Sequence, residues 1–403
     1  MVAAILGRSP STISNAPDVG DVHITADMLG SLGASVAVVG DQIAVDPSGI
    51  EIGEVPMSFS GLNRIPILFI GPLLHRLGEV FVPTIGGDRI GRRPVNFHTD
   101  ALRAMGAQVT VTEEGIRATA TKLHGTRIRL PYPSVGATES ILLSAVFAEG
   151  RTVLENSAIE PEVIELALFL QRMGARLELR PDRRFVIEGV EHLEGANHRL
   201  AGDRIEAFSY LCAGLVTGGE VRVFGCAQDR LVTAISTLHR MGVHFEINDD
   251  YISASARDGL VPAVVKTDTH PGFMTDWQSP LVVLFTQVDG MSVLHETVYE
   301  DRLSYVPALK QMGAEVELFD ACLGGPGCRF YESTSLHSVV VHGVNKLRGA
   351  EITIPDIRGG FAYLIAAAAA EGESILHDVH HIERGYADPY NSFTELGLHL
   401  KRL

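Results

Sequence analysis

Cysteine, long apolar runs and positive charge are all scarce in this sequence. Four cysteines in 403 residues are too few for a disulfide framework. Cys212 sits in an apolar helical pattern and reads as a buried, inert thiol. Cys322 and Cys328 flank a glycine-rich loop, CLGGPGC, where either two free thiols or a local disulfide would fit. No stretch is long and apolar enough for a membrane helix, and residues 1–6 are too short for a signal sequence. These features predict a cytoplasmic chain with no membrane partner. Lys and Arg number 33 against 49 Asp and Glu, a net charge of −16. Such a surface repels phosphate backbones, so nucleic acid is not an expected partner. An anionic small molecule would need arginines concentrated locally against that background.

What is abundant is repetition. A helical pattern ending in Leu-x-x-Leu/Met-Gly and followed by an alternating strand occurs six times, around Gly33, Gly106, Gly174, Gly242, Gly313 and Gly397. The intervals are 73, 68, 68, 71 and 84 residues, the last lengthened by the segment CLGGPGCRFYEST. A fixed period of this kind marks a repeated supersecondary unit. The glycine has a physical reason: the residue past a helix end often turns left-handed, which glycine does freely. A second, almost wholly apolar helix recurs at 64–79, 136–151, 204–220, 275–291 and 357–373. Helices apolar on all sides are buried. Each unit thus reads strand, buried helix, strand, exposed helix, strand, strand. Six units predict two domains of three, 1–200 and 201–403, with NHRLAGD (197–203) as the crossing segment and the cleft between domains as the default site. The opening MVAAILGRSP resembles the end of a buried helix, so the first unit is expected to lack its opening strand, either through a short start or as a degenerate repeat.

Polar residues gather at the starts of the apolar helices: Arg64, Thr138-Glu139, Asp203-Arg204, Asp276 and Asp356-Ile357-Arg358. Asp203, Asp276 and Asp356 fit N-caps. Arginine at a helix start opposes the dipole, so Arg64 and Arg358 require an anion or a carboxylate. The segment PTIGGDRIGRRPVNFH (83–98) reads either as a solvated loop or as a mobile loop closing over a ligand. In the second case Arg93 suits a phosphate and Asp88 a general acid.

Taken together, SNAPDVGDV (14–22), GGDRIGRRPVNFH (86–98), PSVGATE (133–139), GDRIEA (202–207), HPGFMTDWQ (270–278), HETVYEDR (295–302), PDIRGG (355–360) and ERGY (383–386) resemble the enolpyruvyl transferases of peptidoglycan synthesis. The resemblance implies an α/β fold, a two-domain inside-out α/β barrel with three repeats per domain. It implies transfer of the enolpyruvyl group of phosphoenolpyruvate to the 3-hydroxyl of UDP-N-acetylglucosamine by addition–elimination through a tetrahedral ketal. No metal and no organic cofactor are implied. Asp88 falls at the position of the proton donor, where most members carry Cys, and Asp276 at that of the base for the acceptor hydroxyl. Arg93, Arg302 and Arg358 match residues around phosphoenolpyruvate. Arg64, Arg93, Pro94, Val95, Asn96, Phe97, Tyr132, Pro133, Ser134, Val135, Asp276 and Val298 match nucleotide-sugar contacts. Asn96 stands where Asp is more usual.

The family's Lys-Asn pair at the first buried helix has no counterpart in the sequence, where it would fall before Met1. Loss of one such charged contact is worth about 1.5–3 kcal/mol. An inactive nucleotide-sugar-binding paralogue is therefore one alternative; transfer to a UMP-like acceptor, as related enolpyruvyl transferases imply, is another. A carboxylate is a far weaker nucleophile toward an epoxide than a thiolate. Fosfomycin is accordingly expected not to inactivate the protein; time-dependent covalent modification of Asp88, read by peptide mass, would contradict this.

Overall fold

All six marker glycines adopt the left-handed geometry their pattern demands, with φ between +92° and +109°. In the computed structural model, which describes residues 1–324 and 328–403, each of them follows an amphipathic helix. These helices are Gly20–Ser31, Asn96–Ala104, Pro161–Arg172, Val232–Arg240, Val306–Gln311 and Pro389–Glu395. The chain divides into two compact units. One comprises Met1–Gly87 and Arg93–Leu200, the other Asp88–Arg92 and Ala201–Leu403, so the short Asp88–Arg92 segment packs with the second unit.

Each unit surrounds buried helices with sheets. In the first, the turn Val2–Leu6, the continuous pair Ile65–Phe69 and Ile70–Leu77, and the helix Val135–Ala145 form the interior. Close approach there depends on Gly71: a Cβ at that position would fall 2.2 Å from Ser144 Oγ and 3.0 Å from Ser144 Cα. In the second, the helices Arg204–Val216, Gln278–Phe285 and Ile357–Ala369 pack on one another. Their apolar residues bury the core that the sequence pattern implied.

The sheets follow the repeats. In the first unit the order of one four-stranded sheet is Asn197–Arg199, Ser11–Ser14, Gln42–Asp46, Ser35–Val39. Residues 197–199, expected in a crossing segment, are instead a strand paired in parallel with Ser11–Ser14. Asn197–Arg199 thus takes, beside Ser11–Ser14, the place of an opening strand in the first sheet. The segment is locked further by Leu200 N–H donating to Ser14 O at 2.9 Å and by Asn15 Nδ2 donating to Leu200 O at 2.8 Å.

The sixth repeat departs in the opposite direction. Residues 398–403 form no strand, and its sheet holds only Glu351–Thr353 and Ile375–His377. In the fifth repeat, the strands Glu315–Phe319 and Ser338–Gly343 are antiparallel neighbours, and the inserted segment joins them. The four cysteines are free thiols. No helix among the described residues is long and apolar enough to cross a membrane.

Candidate active site

In the second unit the starts of two buried helices bring charges together. Asp276 lies in the turn Thr275–Trp277 that leads into the helix Gln278–Phe285. It is not an N-cap, as the sequence pattern suggested. Its Oδ1 accepts instead from Arg302 Nη2 at 2.5 Å and lies 3.4 Å from Arg358 Nε. Burial alone would raise this carboxyl, but the Arg302, Arg358 and Arg204 charges outweigh it and hold the pKa below its ordinary value. Asp203 and Asp356 do cap: Asp203 Oδ1 accepts from Ile205 N at 2.6 Å, and Asp356 Oδ1 accepts from the N–H groups of Arg358 and Gly359, both at 2.9 Å. The cap on Asp356 fixes the first turn from which Arg358 projects.

Arg302 is buried, with only 4% of its side chain exposed. Burial opposes its charge, yet Asp276, Asp356 and Glu296 raise its pKa. Arg358 is likewise raised against its burial, chiefly by Tyr386 and Asp276. Its guanidinium carbon lies 5.1 Å from the Tyr386 ring centroid, and Tyr386 stacks on Phe361 at 3.9 Å. Arg358 Nη1 is buried with no hydrogen-bond partner. An unsatisfied buried guanidinium nitrogen is expensive unless an anion meets it.

Asp88 completes this group. Its Oδ1 lies 3.5 Å from Arg384 Nη1, both side chains being less than a fifth exposed. Burial and the nearby Asp356 charge raise its pKa, outweighing Arg384, Arg302 and Arg358. A carboxyl so placed retains its proton more readily and is chemically suited to donate it. The segment is seated by Asp301 N–H donating to Ile90 O at 3.2 Å and by Gly91, whose φ of +124° brings it against Glu300.

Glu296 forms the buried floor of the same region. Its carboxylate accepts from Thr267 Oγ1 at 3.0 Å, Thr275 Oγ1 at 2.8 Å and the N–H groups of Val298 at 2.6 Å and Tyr299 at 3.2 Å. Val298, matched to a nucleotide-sugar contact, also accepts from Arg329 Nη1 at its carbonyl. Both of its backbone groups are therefore engaged within the unit.

The first unit assembles a second group. Arg64 immediately precedes the turn Ile65–Phe69, and its Nη1 donates to Arg93 O at 3.1 Å. Pro94 and Val95 lead into the helix Asn96–Ala104, which starts with Asn96 and Phe97. Tyr132 and Pro133 precede Ser134, the N-cap of Val135–Ala145, whose Oγ accepts from Ala137 N–H at 3.4 Å. His98 links these pieces. It is buried next to Arg64 and Gly136, its Nδ1 has no hydrogen-bond partner, and burial and the Arg64 charge lower its pKa to about 3.

Arg384, Tyr386, Glu296 and His98 carry no role in the sequence reading, although all four lie within the quoted motifs ERGY, HETVYEDR and GGDRIGRRPVNFH. Their contacts span up to 296 residues of chain, as in the Arg384–Asp88 pair, and no local pattern encodes such a pairing.

The family profile of EPSP synthase (3-phosphoshikimate 1-carboxyvinyltransferase) matches residues 1–392. The chain belongs to this family of carboxyvinyltransferases. Within it, the chain is 43% identical over 403 residues to UDP-N-acetylglucosamine 1-carboxyvinyltransferase of Chlamydia pneumoniae, covering 98% of this chain and 88% of that protein. It is 38% identical to UDP-N-acetylglucosamine 1-carboxyvinyltransferase 3 of Caldanaerobacter subterraneus subsp. tengcongensis, covering all of this chain and 92% of the relative. The enolpyruvyl transferase NikO from Streptomyces tendae shares the fold, with a TM-score of 0.86 at 24% identity over 98% of this chain and 91% of that one. The two-domain α/β architecture expected from the repeats is thus the family fold.

A carboxyl can donate a proton only in its acid form, so with Asp88 as proton donor kcat/KM for transfer should fall as pH rises through its raised pKa. Asp88→Cys, with an ordinary thiol pKa of about 8.5, should move that falling limb to higher pH in a pH–rate profile. A limb that stays in place would assign the titration to another group.

Proposed function

We propose that the protein transfers the enolpyruvyl group of phosphoenolpyruvate to the 3-hydroxyl of UDP-N-acetylglucosamine, releasing phosphate, as the first committed step of peptidoglycan synthesis in the cytoplasm. The observation that carries the reading is the buried cluster of Asp88, Asp276, Arg302, Arg358 and Arg384, with one guanidinium nitrogen unsatisfied. The names of the relatives above supply the acceptor.

Asp88 protonates the methylene carbon of phosphoenolpyruvate while the acceptor oxygen bonds to its C2. Asp276 takes the hydroxyl proton. The tetrahedral ketal then returns a proton from the former methylene carbon to the Asp88 carboxylate as the bond from C2 to the phosphate oxygen breaks, and the departing phosphate takes up the proton left on Asp276. Every step is a proton transfer or the making or breaking of a carbon–oxygen bond. Arg302 and Arg358, with Arg93, bind the phosphate and carboxylate of phosphoenolpyruvate. A substrate anion on these guanidiniums competes with Asp276 for them. That competition restores basicity to a carboxylate that the ion pairs otherwise suppress. The nucleotide sugar is assigned to Arg64, Arg93–Phe97, Tyr132–Val135 and Val298. Domains 1–200 and 201–403 remain the proposed division, with Asp88–Arg92 packed on the second.

Phosphate release from phosphoenolpyruvate, assayed in parallel with UDP-N-acetylglucosamine, UMP and shikimate 3-phosphate, tests the acceptor. Release with UDP-N-acetylglucosamine alone is expected. Release with UMP alone would overturn the assignment, and release with none would favour a non-catalytic paralogue.

A further inference from the structure

The inserted segment of the fifth repeat gathers four metal-binding side chains. Among the described residues, His295, Cys322, Cys328 and His337 each place a ligand atom within 4.8 Å of all the others. The topology explains the convergence. His295 ends the strand Gly290–His295 and lies opposite Ser338 in the antiparallel pair with Ser338–Gly343. His337 is the residue before that strand, and Cys322 and Cys328 belong to the connection that leads to it. All four therefore lie at one end of one sheet. His295 and His337 are fully buried, Cys328 is 8% exposed and Cys322 is half-buried.

The hydrogen bonds around the histidines select the ring form that a metal needs. His337 Nδ1 lies 2.7 Å from Ser335 O, which can only accept, so the proton is on Nδ1 and Nε2 carries the lone pair. His295 Nδ1 lies 2.7 Å from Ser338 Oγ. That hydroxyl donates its single proton to Ala321 O at 2.7 Å, so it accepts from His295 Nδ1–H. His295 Nε2 is then a lone-pair nitrogen, buried and without a hydrogen-bond partner. Both imidazoles are oriented by an acceptor at Nδ1 and offer Nε2 inward, the usual support for metal-ligating histidines. The sulfurs are prepared in a similar way: Phe330 N–H donates to Cys328 Sγ at 3.3 Å, and Cys322 Sγ lies 3.4 Å from His337 Nε2. Tetrahedral zinc with ordinary Zn–N and Zn–S bonds sets ligand atoms about 3.3–3.8 Å apart, a small contraction from the observed grouping. Gly324 passes directly over the His295 ring, where a Cβ would fall 2.4 Å from Cδ2.

We propose that this cluster is a structural zinc site of Cys2His2 type, closed to substrate. Binding converts Zn2+ and two thiols into a neutral centre of two thiolates and two imidazoles, and two protons leave to solvent. Two nitrogens and two sulfurs in tetrahedral reach select zinc over magnesium or calcium. The metal would fasten a connection whose Arg329 holds Val298 O at 3.2 Å. His295 is also the residue before Glu296, so the clasp and the floor of the candidate active site share a strand end. The only alternative to free thiols visible in the sequence was a Cys322–Cys328 disulfide, because the histidine ligands lie on a neighbouring strand and beyond the insertion.

The test is elemental analysis of the full chain, purified without chelator, together with cobalt substitution. One zinc per chain is expected, and cobalt should give thiolate-to-metal charge-transfer and intense tetrahedral ligand-field bands. Cys322→Ser and Cys328→Ser should abolish both. Ser338→Ala keeps all four ligands and should weaken zinc about 10–100-fold in competition with a chromophoric chelator. His337→Cys should retain a tetrahedral site, now of Cys3His type, with an altered cobalt spectrum. Wild-type protein that takes up neither metal, a mass two hydrogens lower from a Cys322–Cys328 disulfide, or retention unaffected by the cysteine variants would overturn the proposal.

Discussion

The site in the second unit depends on the pairing of Asp276 with two guanidiniums. Removing such charges from water is costly, and their mutual attraction repays this only when the geometry is good. Here one carboxylate oxygen serves both Arg302 and Arg358, while Asp356 is committed to capping a helix. The cluster therefore keeps a buried guanidinium donor open, at an unsatisfied nitrogen of Arg358. That local donor, and not the chain's net charge of −16, is what can meet an anionic substrate.

The surrounding packing preserves that arrangement. Trp277 donates from Nε1 to Arg204 O at 3.1 Å, and Tyr305 donates from its hydroxyl to Gln278 Oε1 at 2.8 Å. Ser279 Oγ donates to Arg358 O at 3.1 Å. The first and third of these bonds tie the starts of two buried helices together, and the second ties a buried helix to the exposed helix of its own repeat, so the three helices of the unit hold the charges in register. Such preorganisation is what electrostatic catalysis requires, because dipoles already in place need no reorganisation during reaction.

The repeats were legible because they rest on local physics. A left-handed glycine after an amphipathic helix and an all-apolar helix are patterns of adjacent residues, and all six glycines obey them. Closure of the first sheet by Asn197–Arg199 was not legible: three polar-looking residues pair with a strand more than 180 positions away. Asp276 read as a possible cap because its helix-start position is local information, whereas its arginine partners are not. Asp88 and Arg358 stood out from their local sequence and the resemblance added their roles, but Arg384 and Tyr386 within the quoted ERGY motif gained theirs only from three-dimensional proximity. The same limit hid the pairing of His295 and His337 with Cys322 and Cys328.

In the proposed mechanism Asp276 and the substrate anion compete for the same guanidiniums. Calorimetric titration of phosphoenolpyruvate into the Asp276→Asn and Arg358→Gln variants, beside their turnover, measures this directly. Asp276→Asn is expected to bind phosphoenolpyruvate at least as tightly as the unaltered protein while losing turnover, and Arg358→Gln to bind it more weakly. Equal loss of binding in both variants would contradict that competition.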